Sequence, residues 1–170
     1  NTGINWELGT VQTVGDDAII GFGGLNITIS ANAGSNTLRL AATNTLTLNS
    51  GTFTIAGDTS LDGGLNLAGG VLIGDGNLTL SNALNWTGGS IAGAGQLTTT
   101  ATSTLNSGGT LGIGRDWLNI GTINHTNGVL QIQNGAFITN VGSYNANGGT
   151  QISANGGAGI EGFFNAGQFN

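Results

Sequence analysis

The sequence predicts an all-β protein: a single-stranded, right-handed parallel β-helix, or β-solenoid, of about eight coils of about 19–21 residues. Near-repetition is the first reason. "LNLAGGVLIGDGNLTL" at residues 65–80 returns as "LNWTGGSIAGAGQLTT" at 84–99, with half of the paired positions identical. A glycine column is the second: Gly51, Gly70, Gly89, Gly109, Gly128 and Gly149 lie 19, 19, 20, 19 and 21 residues apart. Each follows a turn former, so the column marks one recurrent backbone corner. The third is alternation of apolar and polar residues in "LTL", "LNL" and "TFTI", the period of two that belongs to strands, with no helical spacing anywhere.

The elements follow from these columns. Five residues before the glycines stand Leu46, Leu65, Leu84, then Thr104 as an exception, then Ile123 and Tyr144. Two residues after them stand Phe53, Leu72, Ile91, Leu111 and Leu130, with Gln151 interrupting and Ile152 taking over by a one-residue slip. Each unit therefore holds two or three short strands joined by tight turns, and stacked coils bring like residues onto like about 4.8 Å apart. Residues 45–170 carry the regular repeats. Residues 1–44 are less regular, although "INW" at 4–6 and "ITI" at 27–29 fit the register. The whole of 1–170 reads as one β-helix segment of a longer protein. The pattern itself carries no handedness; right-handed is the usual sense for three-strand coils of this length. One coil cannot bury enough apolar surface to offset the entropy of ordering it, so stability must come from neighbours.

Composition narrows the partners. Two cations, Arg39 and Arg115, face eight carboxylates, for a formal charge of −6 and a pI near 4.1. Such a surface repels phosphate backbones and anionic lipid, so nucleic acid is not an expected partner. No apolar run approaches the length of a spanning helix, so membrane insertion is not expected either. The chain has 34 Gly and no Pro, Cys or Met. A hydrophobic fraction of 38% that alternates argues for a folded chain over a disordered one.

The units "LNWTGGSIAGAGQL", "INHTNGVLQIQNGAFITNVGSYNANGG" and "GFFNAGQFN" resemble the β-helical repeats of large bacterial surface exoproteins, the filamentous-haemagglutinin-like and autotransporter passengers. The resemblance covers residues 45–170 well and the first 44 loosely. The secretion-signal module of two-partner exoproteins carries Asn-Pro motifs, and this chain lacks Pro, so a rod segment is the part it matches. The resemblance implies export, cell-surface display and a non-catalytic adhesive or scaffolding role. Its implied partners are host or matrix glycans, other cell-surface proteins and adjoining coils of the same chain. The rival class is a carbohydrate-binding or carbohydrate-cleaving β-helix.

No catalytic residue, cofactor or metal is assigned. Candidates for a ligand-facing surface are Trp117, Asp58 and Asp75: an aromatic face suits the apolar side of a sugar, and paired acids are what a glycosidase needs. Trp6, Phe163, Phe164 and Phe169 belong to the same aromatic set, with packing, or capping of a solenoid end by Phe163 and Phe164, as the plainer expectation. Asp58 and Asp75 are 17 residues apart, close enough in coil register to approach each other, but no Lys, Arg or His joins them. "VGDD" and "GDGN" do not repeat as a calcium nonapeptide does. His125 shares a column with Leu48, Leu67 and Trp86, so an inward or corner position is expected for it. Asn5, Asn66, Asn85, Asn124 and Asn145 form a column whose stacked amides can bond along the rod. The Asn sequons follow from an Asn- and Thr-rich composition. "TTTATST" at 98–104 aligns Thr over too few coils for an ice-binding array.

Overall fold

A computed structural model describes residues 13–155 and 159–170, and in it the chain is an all-β solenoid of about seven turns without helices. The sequence expectation of about eight coils counted residues 1–12, which lie outside the described set together with Trp6 and Asn5. Each turn has three faces, and every strand pairs in parallel with its counterpart one turn away. The first face stacks Asn26–Ile29, Thr45–Leu48, Gly64–Leu67 and Leu84–Trp86, and continues through the front halves of two long strands, Thr102–Gly114 and Thr122–Ile132, to Ser143–Ala146. The second stacks Ala33–Ser35, Thr52–Ile55, Val71–Ile73 and Ser90–Ala92, then the back halves of the same long strands and Gln151–Ala154.

The third face runs from Ala18–Ile20 and Leu38–Leu40 to Thr59–Leu61, Leu78–Leu80, Leu97–Thr99, Trp117–Asn119, Phe137–Asn140 and Gly162–Asn165. Its ladder is interrupted between the second and third of these strands. There a side chain substitutes, with Leu38 N–H donating to Thr59 Oγ1 at 3.2 Å. The core is a file of inward Leu, Ile and aromatic residues from Ala18 to Tyr144. Alternation in sequence thus becomes alternation in burial: in Thr45–Leu48 the two Leu are buried and the two Thr are half-buried.

The glycine column holds at five of six positions, with φ of 78° at Gly51, 73° at Gly70, 77° at Gly89, 88° at Gly128 and 91° at Gly149. At Gly89 an added Cβ would collide with the Gly70 carbonyl of the preceding turn, so close coil stacking excludes any side chain there. Gly109 differs: its φ is not positive and the space around it is open.

The reason is a longer corner in that turn. Trp86 pairs with Leu105, yet Ile91 pairs with Ile113, so the chain between the two faces is three residues longer than in the turn before. Two column assignments change as a result. Ser103, not Thr104, occupies the inward position between Leu84 and Ile123, and Ile113, not Leu111, stacks on Ile91. Leu111 begins a short column with Leu130 and Ile152, which is the slip expected at Gln151.

Candidate functional site

Asp58 and Asp75 lie at the corner between the second and third faces, both exposed. Asp58 is engaged in stacking: its Oδ1 accepts the backbone N–H of Asn77 at 2.7 Å. Asn77 does the same for Gln96 at 3.0 Å, and Asp116 for Phe137 at 2.8 Å. At the start of the rod Asp17 Oδ1 accepts from Thr37 N–H at 3.2 Å and from its hydroxyl at 2.8 Å. These short acceptors thus satisfy corner donors that the strand ladder leaves over. The bonds from Thr37 and Asn36 hold the Asp17 carboxyl below its ordinary value, and those from Thr13 do so for Asp16.

Asp75 takes part in a different arrangement. Arg115 reaches back under the same corner, almost fully buried, and donates from Nε to Gly95 O at 2.6 Å and from Nη2 to Gly76 O. Burial lowers its pKa and the charge of Asp75 opposes that shift. The guanidinium therefore staples two successive turn carbonyls, with Asp75 as its nearby counter-charge.

Trp117 is not ligand-facing. It is 1% exposed, points inward from the third face, packs at 6.2 Å on Trp86, and donates from Nε1 to Thr99 Oγ1 at 2.9 Å. Inward or outward is decided by coil register, and Trp117 occupies the register of Leu97 and Ile138. His125 is inward as its column implies, fully buried, with Nδ1 at 2.8 Å from Tyr144 Oη. Burial lowers its pKa, and the backbone of Gly128 and Asn127 opposes this. Its Nε2 is buried without a hydrogen-bond partner.

The expected outer amide column is present on the first face. Asn85 Nδ2 donates to Asn66 Oδ1 at 2.9 Å, Asn145 to Asn124 at 2.8 Å and Asn170 to Asn145 at 2.9 Å, with Thr104 intervening between Asn85 and Asn124. A second ladder, inside the rod, was not singled out by sequence reasoning. Asn119 Nδ2 donates to Asn140 Oδ1 at 2.6 Å, and Asn140 Nδ2 to Asn165 Oδ1 at 2.6 Å. Asn119 and Asn140 are fully buried. The available signal was Asn-x-Gly in "NIG", "NVG" and "NAG", where the glycine lets consecutive coils approach: a Cβ at Gly142 would meet the Gly121 carbonyl.

Apolar exposure concentrates at the two ends. Val14, Ile19, Phe22 and Leu25 are exposed near the start, and Ile120, Phe137, Val141, Ile160, Phe164 and Phe169 in the last turns, with no large exposed hydrophobic from 26 to 119. The end expected to be capped by Phe163 and Phe164 is instead lined by Phe163 and Phe169. Both rings lie 5.2 Å from Tyr144, one edge-on and one stacked, while Phe164 points outward and is 61% exposed. A shallow depression lies near Val14, Asn32, Thr52 and Thr54. No group of three or more His, Cys, Asp or Glu among them is placed to hold a metal ion, and no helix is long and apolar enough to cross a membrane.

Compared with protein-family profiles, with curated protein sequences and with solved structures, the chain gives no match.

Proposed function

We propose that this chain is a non-catalytic rod segment of a secreted or cell-surface exoprotein, of the filamentous-haemagglutinin-like or autotransporter-passenger kind, serving as an adhesive stalk or scaffold. The observation that supports this is how the polar groups are used. Asp58, Asp116, Arg115 and the two Asn ladders all bond from one turn to the next. Groups so engaged hold the rod in register. A rod side without a deep pocket binds weakly per contact and gains avidity through length or copy number.

The test is attachment. The chain displayed in many copies on beads should retain cells or matrix glycans better than beads bearing an unrelated protein of similar charge, and the free monomer should compete poorly. Glycan turnover that disappears in Asp58→Ala or Asp75→Ala would replace this reading with the enzyme alternative. A carbohydrate-binding reading draws on Phe137 and Phe164, exposed aromatic rings on the third face of the last turns. Their joint replacement by Ser should abolish glycan retention if that reading holds.

A further inference from the structure

Four Asn-Gly pairs occur in the chain: Asn127–Gly128, Asn134–Gly135, Asn147–Gly148 and Asn155–Gly156, the last partly outside the described residues. The dipeptide can react with itself. The glycine nitrogen attacks the Asn side-chain carbonyl carbon, a new C–N bond closes a five-membered succinimide, and the C–Nδ2 bond breaks with loss of ammonia, which carries away the displaced proton. Water then opens the ring at either carbonyl to leave aspartate or isoaspartate. Only water is consumed, and no oxidant or reductant is needed. The step requires a mobile Asn side chain and a following peptide free to rotate towards it.

The fold grants this unequally. Gly128 lies inside the long strand Thr122–Ile132, where an added Cβ would come within 2.5 Å of Ser107 O and 2.6 Å of Gly109 O, and Asn127 is paired with Asn106 of the preceding turn. Asn134 and Gly135 form a tight turn at φ of 58° and 74°, closed by Ala136 N–H donating to Gln133 O at 3.1 Å.

Asn147 and Gly148 are different. They turn the corner between Ser143–Ala146 and Gln151–Ala154, both are exposed, and no heavy atom lies within 4 Å of a Cβ built at Gly148. The backbone of Asn147 is anchored, its N–H on His125 O at 2.9 Å and its carbonyl on Thr150 N–H at 3.2 Å and Thr150 Oγ1 at 2.7 Å. Its side-chain amide and the Gly148 N–H have no hydrogen-bond partner among the described residues, as is also so at Asn134 and Gly135; what sets Asn147 apart is that neither it nor Gly148 is held at positive φ and that the space around Gly148 is open. A fixed backbone with a free side chain and a free following amide is the arrangement ring closure needs.

We propose that Asn147 is a modification site, deamidating spontaneously through a succinimide ahead of Asn127 and Asn134. The product adds a carboxylate to a chain already at −6. As isoaspartate it also inserts a backbone carbon between the anchors on His125 and Thr150, loosening the last corner of the rod.

The experiment incubates the full chain at mildly alkaline pH, folded and in strong urea, and locates acid and isoaspartate by fragment mass spectrometry and enzymatic isoaspartyl methylation. In the folded chain Asn147 should convert at least about tenfold faster than Asn134 or Asn127, equivalent to about 1.4 kcal/mol of differential restriction. In urea the three should converge. Gly148→Ala should suppress conversion at 147 alone while leaving the circular dichroism spectrum unchanged. First conversion at Asn127 or Asn134 in the folded chain, equal rates at all three sites, or no conversion at Asn147 would each overturn the proposal.

Discussion

On the third face, the turns from Thr59 to Thr100 and those from Trp117 to Gly167 share one inward apolar column, through Leu78, Leu97, Trp117 and Ile138, and differ in the other. In the earlier turns Leu61 and Leu80 point into the core and Ser60, Thr79 and Thr98 point out. In the later ones Asn119 and Asn140 point in at the register of those leucines, Asn165 continues their column, and Ile120, Phe137, Val141 and Phe164 point out. One face of one solenoid therefore accepts an apolar interior column or an amide one. What stacking demands is that each residue match the one above and below it, because an amide in a stacked column gives its neighbours the partners they need, whereas an isolated one would be an unpaired buried dipole. Thr99 joins the two regimes. It stacks on Leu80, accepts from Trp117 Nε1 at 2.9 Å and donates to Asn119 Oδ1 at 2.9 Å.

The most damaging way to break the contrast is to interrupt the amide column. Asn140→Leu removes one of the three acceptors of Asn119 Nδ2, which keeps Gly121 O and Ser143 O, and the donor to Gly142 O, Gln168 O and the exposed Asn165, so urea unfolding should report a loss of about 2–4 kcal/mol. Leu80→Asn, which places an amide where Leu61 lies on one side, should be similarly harmful. A neutral result for either would show that the columns are interchangeable residue by residue.

Backbone stacking gives the next effect. Gly89→Val should cost at least about 1–3 kcal/mol, because φ is positive and the Gly70 carbonyl fills the space. Gly109→Val, at an open corner with ordinary φ, should stay within about 0.5 kcal/mol. Equal losses would mean that the long corner at 106–110 is as tightly stacked as the others.

Acid should act on the later turns first. The His125 pKa is lowered by burial, so its folded state resists protonation while the unfolded chain takes up a proton near 6.5. Stability is then fully present above that pH and declines as pH falls below it. The lowered Asp16 and Asp17 pKa values add a loss below about 4, when their carboxylates protonate and their bonds to Thr13 and Thr37 weaken. Melting scans from pH 7 to 5 should fall for the native chain and flatten for His125→Gln. A flat native profile would mean that His125 is reached by solvent without unfolding. The smallest effect belongs to the outer ladder, where Asn85→Ala should cost about 0.5–1 kcal/mol, since water replaces the lost bonds of an exposed amide.

The legibility of the sequence follows the same division. Glycine spacing and the Leu46, Leu65, Leu84 column were readable because the turns up to Trp86 keep an almost constant length, so a fixed offset finds the next coil. At Ser103 and Ile113 that ruler fails, because extra residues entered a corner while the strands on both sides kept their pairing. The chemistry of Trp117 suits either a ligand-facing position or plain packing, and its register with Leu97 decides for packing. The Asn119, Asn140 and Asn165 ladder is not legible in the sequence, since its steps are 21 and 25 residues and its members are polar at a position where the earlier turns carry Leu. Asp58 looked like half of an acid pair; its acceptor role towards Asn77 N–H depends on which corner donors the ladder leaves open.

A double-mutant cycle on Asn119→Leu and Asn140→Leu, measured by urea unfolding, tests most directly whether the interior is specified by columns. If the column is the unit, the first substitution orphans its neighbour and the second removes the orphan. The double variant should then lose less than the sum of the singles by about 1–3 kcal/mol. Additive losses within about 0.5 kcal/mol would show that each amide acts alone, and would contradict the account.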